Sequence, residues 1–258
     1  MSNRTMKQPV KWAAELAHVR EVSLLGIADL AYWKDRLVKE DLLPAERDGQ
    51  AQLLITSADS KYVGVRFREL SFSVLVSLPG KPPQHDAAYL AYAFNSNWIF
   101  AFCERVFFST PYYHGDVRVS ASLPASIHFV ERGNVVFRAE MGAIESGRGR
   151  ESSRLGEKGW EGPVFLAEDR RGKGRPGKLF FARLRGDTRT YPFLPSTDSL
   201  AIRVSPERTV LQALRDSNFA AKEWIVREDA THAKSKTYKR ASALPTMTHR
   251  AAAEQGAA

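Results

Sequence analysis

Residues 66–77 read RFRELSFSVLVS, and residues 87–119 read AAYLAYAFNSNWIFAFCERVFFSTPYYHGDVRV. The first stretch has the two-residue period of a β-strand. Val65, Phe67, Glu69, Ser71, Ser73 and Leu75 share one face, and Arg66, Arg68, Leu70, Phe72, Val74 and Val76 share the other. A run from Tyr62 to Ser77 exceeds the usual strand length, so a bulge is expected near Arg68 or Glu69. In the second stretch AAYLAYAFN reads as a further strand. NSNWIFAFCERVFF then reads as a short helix capped by Asn95 or Ser96 and carrying Trp98, Phe102, Cys103 and Val106, which TPYYHG breaks.

Outward from this stretch the β pattern dominates. Gln52–Ser57 reads as a strand, with SADSK as the turn leading to Tyr62. Downstream, DVRVSASLPASIHFVERGNVVFRAEMG gives alternating segments with ERGN as a tight hairpin turn, and GPVFLAEDRRG and GKLFFARLRGDTRTYPFLPSTDSLAIRVSPE continue the series. Helices are expected at Ala31–Leu43, capped by Asp29 and stopped by Pro44, and at Pro206–Arg215. Trp12, Leu16 and Val19 have helical spacing, so residues 11–20 read as a short helix or an irregular approach. The expected organisation is an N-terminal extension over 1–19, a single β-rich domain with an internal cavity over 20–220, and a largely disordered basic tail over 221–258. After Thr231 apolar periodicity stops.

A chain of 258 residues with 43% apolar content can bury a large core, which excludes global disorder. The single cysteine, Cys103, cannot form an intrachain disulfide and reads as an inert thiol in an apolar run. A reducing, cytoplasmic setting follows as the expectation, with no signal-type leader and no membrane span. The formal charge is +9. Residues 132–189 hold 14 Lys/Arg against 8 Asp/Glu, whereas residues 1–60 hold 8 against 9. The excess sits in Gly-rich loops and the tail, so solvated loops explain it better than a nucleic-acid surface does.

Strong motifs for phosphate binding, dinucleotide binding and a nucleophile elbow are absent. The six histidines are scattered singly, so no metal and no cofactor is expected. Two carboxylates stand out because apolar sequence flanks them: Glu69 and Glu104. Such a charge is paired, protonated or facing a wet cavity. Glu69 either staples strands through Arg68 or Arg105, or it lines an interior pocket together with Glu104.

At these residues the chain resembles the acetoacetate decarboxylase-like superfamily, and more closely an uncharacterised bacterial family related to it that lacks the Schiff-base lysine. Phe67-Arg68-Glu69 is similar to one family segment. Cys103-Glu104-Arg105 followed by Thr110-Pro111-Tyr112-Tyr113 is similar to a second, and Pro163–Leu166 and Gly177–Phe180 resemble the C-terminal strands. The resemblance spans about Leu24 to Val210 and rests on the order of these segments. It implies a mainly β, antiparallel barrel or sandwich with a few short peripheral helices and a central cavity. The decarboxylases place a Schiff-base lysine after the proline, where this chain has Tyr112. Lys81 and Lys158, the nearest lysines in sequence, lie in polar loops, so Schiff-base chemistry is disfavoured.

The expected site therefore has Glu69, Glu104 and Tyr112 as acid–base groups, with Arg68, Trp98, Arg105, Phe108, Tyr113 and His114 as ligand-binding residues. The expected function is binding of a small organic carboxylate or carbonyl compound without an iminium. A lyase or hydrolase using Glu and Tyr is the enzymatic alternative. A basic protein contacting nucleic acid through Arg-rich loops and the tail is the non-enzymatic one, and homo-oligomerisation is left open.

Overall fold

A computed structural model of the protein describes residues 10–77, 87–143, 153–156, 159–167, 177–203 and 209–240. In chain order the first elements are β1 (Trp12–Asp29), α1 (Leu30–Leu37), β2 (Leu43–Pro44), β3 (Glu46–Arg47), β4 (Gln50–Tyr62), β5 (Val65–Ser77) and β6 (Ala88–Asn95). Next come α2 (Trp98–Phe107), β7 (Tyr112–His114), β8 (Asp116–Ser120), β9 (Ser126–Glu131) and β10 (Asn134–Glu140). The rest are β11 (Ser153–Gly156), β12 (Trp160–Leu166), β13 (Lys178–Gly186), β14 (Thr188–Pro192), β15 (Ser199–Ile202), α3 (Thr209–Asp216), β16 (Ala220–Ser235) and β17 (Tyr238–Lys239).

Seven strands close a barrel in the order β16-β1-β4-β5-β6-β12-β13, and β13 pairs back onto β16. All these pairings are antiparallel except β6 with β12. A second, four-stranded sheet, β15-β10-β9-β8, covers part of the barrel's outer face. The outward residues Leu70, Phe72, Val74 and Val76 of β5 are buried there, with Phe72 edge-on to Phe137 at 5.7 Å. Phe94 stacks on Phe129 at 4.2 Å. Each such side chain removed from water contributes about 1.5–3 kcal/mol, so the main core lies between barrel and sheet. The barrel interior is thereby freed from packing duty.

Local signals in the sequence predict several elements closely. Asp29 caps α1, its Oδ1 accepting from the Tyr32 amide at 2.6 Å. The Arg132–Gly133 pair, both at positive φ, turns β9 into β10. The cap of α2 is Asn97, whose Oδ1 accepts from the Ile99 and Phe100 amides at 3.0 and 3.3 Å, and not Asn95 or Ser96.

Four expectations are corrected. Residues 11–20 are strand, and the boundary of an extension at 19 disappears, because β1 begins at Trp12 and pairs with β16 from Ser235. The helical spacing of Trp12, Leu16 and Val19 arises from bulging: register shifts separate Leu16 from Val19, and His18 sits at φ 55°. SADSK continues β4, and the turn falls at Val63–Gly64, both at positive φ, because Asp59 is buried and ion-paired to Arg66, Arg20 and Arg68. The bulge of β5 against β6 lies at Phe72–Ser73, away from Arg68 and Glu69. Finally, residues 220–235 are no tail but β16, bonded to β1, β13 and β14, with Trp224 and Val226 in the core. Positions 241–258 of the expected tail, and most of the Gly/Arg-rich stretch 147–159, lie outside the described residues.

Candidate functional site

Period two carries Glu69, Ser71, Ser73 and Leu75 of β5 to the inside of the barrel, where they line a cavity of about 480 Å3. Its wall is mostly apolar, with Leu25, Leu54, Leu90, Val164, Phe180 and Ile225 among its members. α2 lies across the barrel end where β4 turns into β5, and Phe100 packs edge-on against Tyr62 and Phe67. One face of α2 turns Phe100, Cys103 and Glu104 into the cavity. The other leaves Trp98, Ile99, Phe102, Val106 and Phe107 exposed.

Two polar groups interrupt the apolar wall. In the first, Glu69 accepts from Asn95 Nδ2 at 2.9 Å and from the Tyr112 hydroxyl at 3.3 Å. Glu104 accepts from the Thr110 hydroxyl at 2.7 Å and from the Lys234 ammonium, with which it forms an ion pair. The Lys234 Nζ also faces the rings of Phe180, Phe108 and Tyr112, with centroids at 4.7, 4.9 and 5.5 Å. Glu69 is removed from bulk water by the barrel wall, and this burial, reinforced by the Glu104 charge, pushes its carboxyl up to about 7 despite Lys234, Asn95 and His232. Burial and the two carboxylates push the Tyr112 phenol well above its ordinary range, so it remains a hydrogen-bond donor.

The second group is Glu21, Arg227 and His232. Burial pushes the Glu21 carboxyl up, but Arg227, His232 and Ser23 outweigh it and hold the group at about 2. His232 Nε2 lies 2.7 Å from one Glu21 oxygen, while Arg227 Nη1 and the Ser23 hydroxyl (3.1 Å) meet the other. Ser23 also bonds the Thr56 hydroxyl at 2.8 Å. All five residues line the cavity. Arg227 and His232 have opposite parity on β16, yet both reach the interior because register shifts against β1 fall between them, between the Val19–Ala230 and Glu21–Arg227 pairs.

Of the residues expected from the sequence, Glu69, Glu104, Tyr112 and Phe108 line this cavity. The other five lie outside its lining. Arg68 contacts Asp59 at 3.8 Å, Trp98 is exposed on the outer face of α2, and Arg105 lies over the Tyr113 ring at 5.7 Å. Tyr113 stacks on Tyr92 at 4.8 Å, and His114 is exposed on β7. Each of the two basic residues expected beside the carboxylates points away, and Lys234 takes that place. Lys234, His232, Arg227, Glu21 and Asn95 were missed. The signal available for Lys234 was its two-residue spacing from His232, obscured by reading the segment as solvated tail. Among the described residues no cluster of three His, Cys, Asp or Glu groups is arranged to hold a metal ion, and no helix is long and apolar enough to cross a membrane.

No family model and no curated protein matches the chain by sequence. Solved structures match by shape. An acetoacetate decarboxylase-like enzyme from Sphingomonas wittichii RW1 superposes with a TM-score of 0.57 at 12% identity, covering 93% of this chain and 97% of that one. Acetoacetate decarboxylase from Legionella pneumophila gives 0.59 at 12% identity, covering 92% of each chain. The enduracididine biosynthesis enzyme MppR, complexed with pyruvate, gives 0.58 at 12%, covering 92% and 93%. The seven-stranded barrel with its flanking sheet is thus the acetoacetate decarboxylase-like fold.

Proposed function

We propose that the barrel cavity binds a small organic molecule with an apolar body and a carbonyl or carboxylate oxygen, and that this oxygen meets Lys234, Tyr112 and Glu69. The observation that carries the reading is the convergence of an ammonium, a phenol and a proton-holding carboxyl on one spot of a mostly apolar cavity of about 480 Å3. The volume suits a molecule larger than a three-carbon acid. Lys234 supplies donors to the oxygen, and when Glu69 holds its proton it can donate to the Tyr112 oxygen and free the phenol hydrogen for the ligand. In this binding reading no iminium forms, since Lys234 is engaged as an ion pair with Glu104.

A second reading is imine chemistry at Lys234. It is favoured by Lys234 inside the cavity, so the placing of Lys81 and Lys158 in polar loops no longer counts against Schiff-base chemistry. In that reaction Lys234 first passes a proton to Glu104, its amine nitrogen then adds to the carbonyl carbon, and water leaves as protonated Glu69 donates to the departing oxygen. Borohydride added with 2-oxooctanoate separates the two. Binding without a mass adduct supports the first reading, and an adduct mapped to Lys234 supports the second. Absence of binding overturns both. A nucleic-acid role is supported by no feature of the cavity, and the Arg-rich loop 168–176 lies outside the described residues.

A further inference from the structure

We infer that the outer face of α2 and the adjoining tip of the β4–β5 hairpin form a docking face for an anionic lipid surface. Their apolar side chains enter the acyl boundary, and a flanking cluster of arginines with Lys61 meets the headgroup phosphates. The inference concerns the outside of the barrel and stands independently of what the cavity holds.

Exposed apolar side chains are concentrated at this end of the barrel. Of the eleven large apolar side chains exposed among the described residues, eight lie on α2 or at the hairpin tip, so they form a patch and are not scattered singly. Trp98 and Phe107 stand out on α2, and Tyr62, Val63 and Val65 make the tip. The two parts are one surface. Phe100 of α2 packs edge-on against Tyr62 and Phe67, the Ser96 amide donates to the Arg68 carbonyl at 2.8 Å, and the Arg68 amide donates to the Ser96 hydroxyl at 2.8 Å. At the tip itself Val63 sits at φ 48° with 85% of its surface exposed. A β-branched residue is strained at positive φ, where asparagine or glycine would turn a two-residue hairpin freely. So exposed a side chain packs against little of the fold, and an apolar medium outside the protein accounts for a valine there.

The charge beside the tip selects the occupant. Arg20, Lys61 and Arg66 line a groove of about 390 Å3 with the buried Asp59 and His18. The Asp59 carboxylate pairs with Arg66, with Arg20 at 3.5 Å and with Arg68 at 3.8 Å, so three guanidinium groups share one negative charge. Each of the three keeps more than a third of its side chain in solvent. His18 faces Asp229 at 3.0 Å and adds no surplus. An anionic membrane supplies both an acyl boundary for the apolar residues and phosphates for the cations, and a tryptophan such as Trp98 suits the boundary between them. A second copy of this chain fits less well, because a two-fold contact sets the patch against itself and brings the surplus cations of both copies together.

Co-sedimentation of the full chain with lipid vesicles tests the inference. Vesicles of equal parts phosphatidylserine and phosphatidylcholine are expected to bind it ten-fold or more tightly than vesicles of phosphatidylcholine alone, since each cation near an anionic surface adds to the attraction. Lipids with brominated acyl chains should quench tryptophan emission in the wild type, and Trp98→Phe should lose that quenching. Val63→Asn/Phe107→Ser should lower affinity for the anionic vesicles at least ten-fold. Its urea midpoint should stay at or above the wild-type value, because both side chains are exposed and asparagine accepts positive φ. Arg20→Gln/Lys61→Gln should lower the preference for anionic vesicles several-fold, with Arg66 and Arg68 left to neutralise Asp59. No binding to the anionic vesicles, equal binding to the two compositions, or unchanged affinity in the Val63/Phe107 variant overturns the inference. So does a wild-type dimer that this variant splits in the analytical ultracentrifuge, for a second copy then covers the face.

Discussion

Lys234 on β16 forms an ion pair with Glu104 on α2, across 130 positions of sequence. The pair ties the cap of the barrel to its wall, and the ammonium also lowers the proton affinity of neighbouring Glu69. Lys234→Met is therefore expected to move Glu69 titration above its wild-type midpoint of about 7, since the Glu104 charge that raises it stays in place. Carbon-13 NMR of the glutamate carboxyls reads the midpoint directly, and a midpoint at or below the wild-type value refutes the electrostatic account. Above pH 7 the variant also leaves Glu104 without its cation. A loss of roughly 2 kcal/mol is expected, less than for a fully buried pair because about a fifth of each side chain is exposed.

Glu69 makes the fold less stable as pH rises. Its folded value of about 7 lies above the 4.5 of an unperturbed glutamate, so between these values the native state binds more protons than the unfolded chain. Its contribution is fully present below about pH 4.5 and is lost as pH climbs through 7. The span corresponds to at most about 3 kcal/mol. Glu69→Gln should flatten that limb and make the protein more stable than wild type at pH 8, measured by urea denaturation. Parallel pH profiles for the two proteins would show that Glu69 is ionised throughout.

The parts of this architecture that sequence made legible are local. The inward face of β5 could be read because two-residue periodicity needs only the strand itself, and Asp29 could be read as a cap because the amide it serves is three residues away. The turns at Val63–Gly64 and Arg132–Gly133 are equally local, but SADSK carried turn-favouring residues that the ion pairs of Asp59 override. The polar groups of the cavity depend instead on barrel closure. Arg227 and Lys234 reach the site only because β16 pairs with both β1 and β13, and bulges alter which residues point inward. Period counting along REDATHAKS cannot anticipate those shifts, so an inward-facing, bulged strand looked like a charged tail.

Gly26 marks a close approach of the chain at the end of β1. A methyl group there would lie 2.6 Å from the Ala220 carbonyl oxygen and against the Phe219 ring, where β1 meets β16. The ring can shift, but the backbone oxygen is held in the ladder. Gly26→Ala is expected to cost about 1–3 kcal/mol, with a matching fall in the urea midpoint at unchanged slope. A midpoint equal to wild type would mean that β16 can move away from β1 at no cost.

Glu21 behaves oppositely to Glu69. Burial raises its proton affinity, but Arg227, His232 and Ser23 reverse that effect and hold the group at about 2, below the ordinary 4.5. The unfolded chain then binds more protons between these values, so the Glu21 contribution is present above about pH 4.5 and is lost as pH falls toward 2. The span again amounts to at most about 3 kcal/mol. Glu21→Gln keeps the shape of the side chain but leaves the guanidinium of Arg227 buried without an anion, since Thr188 offers it only a hydroxyl. At pH 7 this variant should be less stable than wild type by roughly 3–5 kcal/mol, the usual cost of removing one partner from a buried pair. Because the variant has no carboxyl to protonate, the gap should narrow as pH falls from 4.5 toward 2. Adding Arg227→Gln should restore part of the loss at pH 7, since no unpaired charge then remains. Denaturant titrations at pH 7 and pH 3 check both outcomes, and a constant gap at the two pH values would show that Glu21 stabilises the barrel through packing instead of charge.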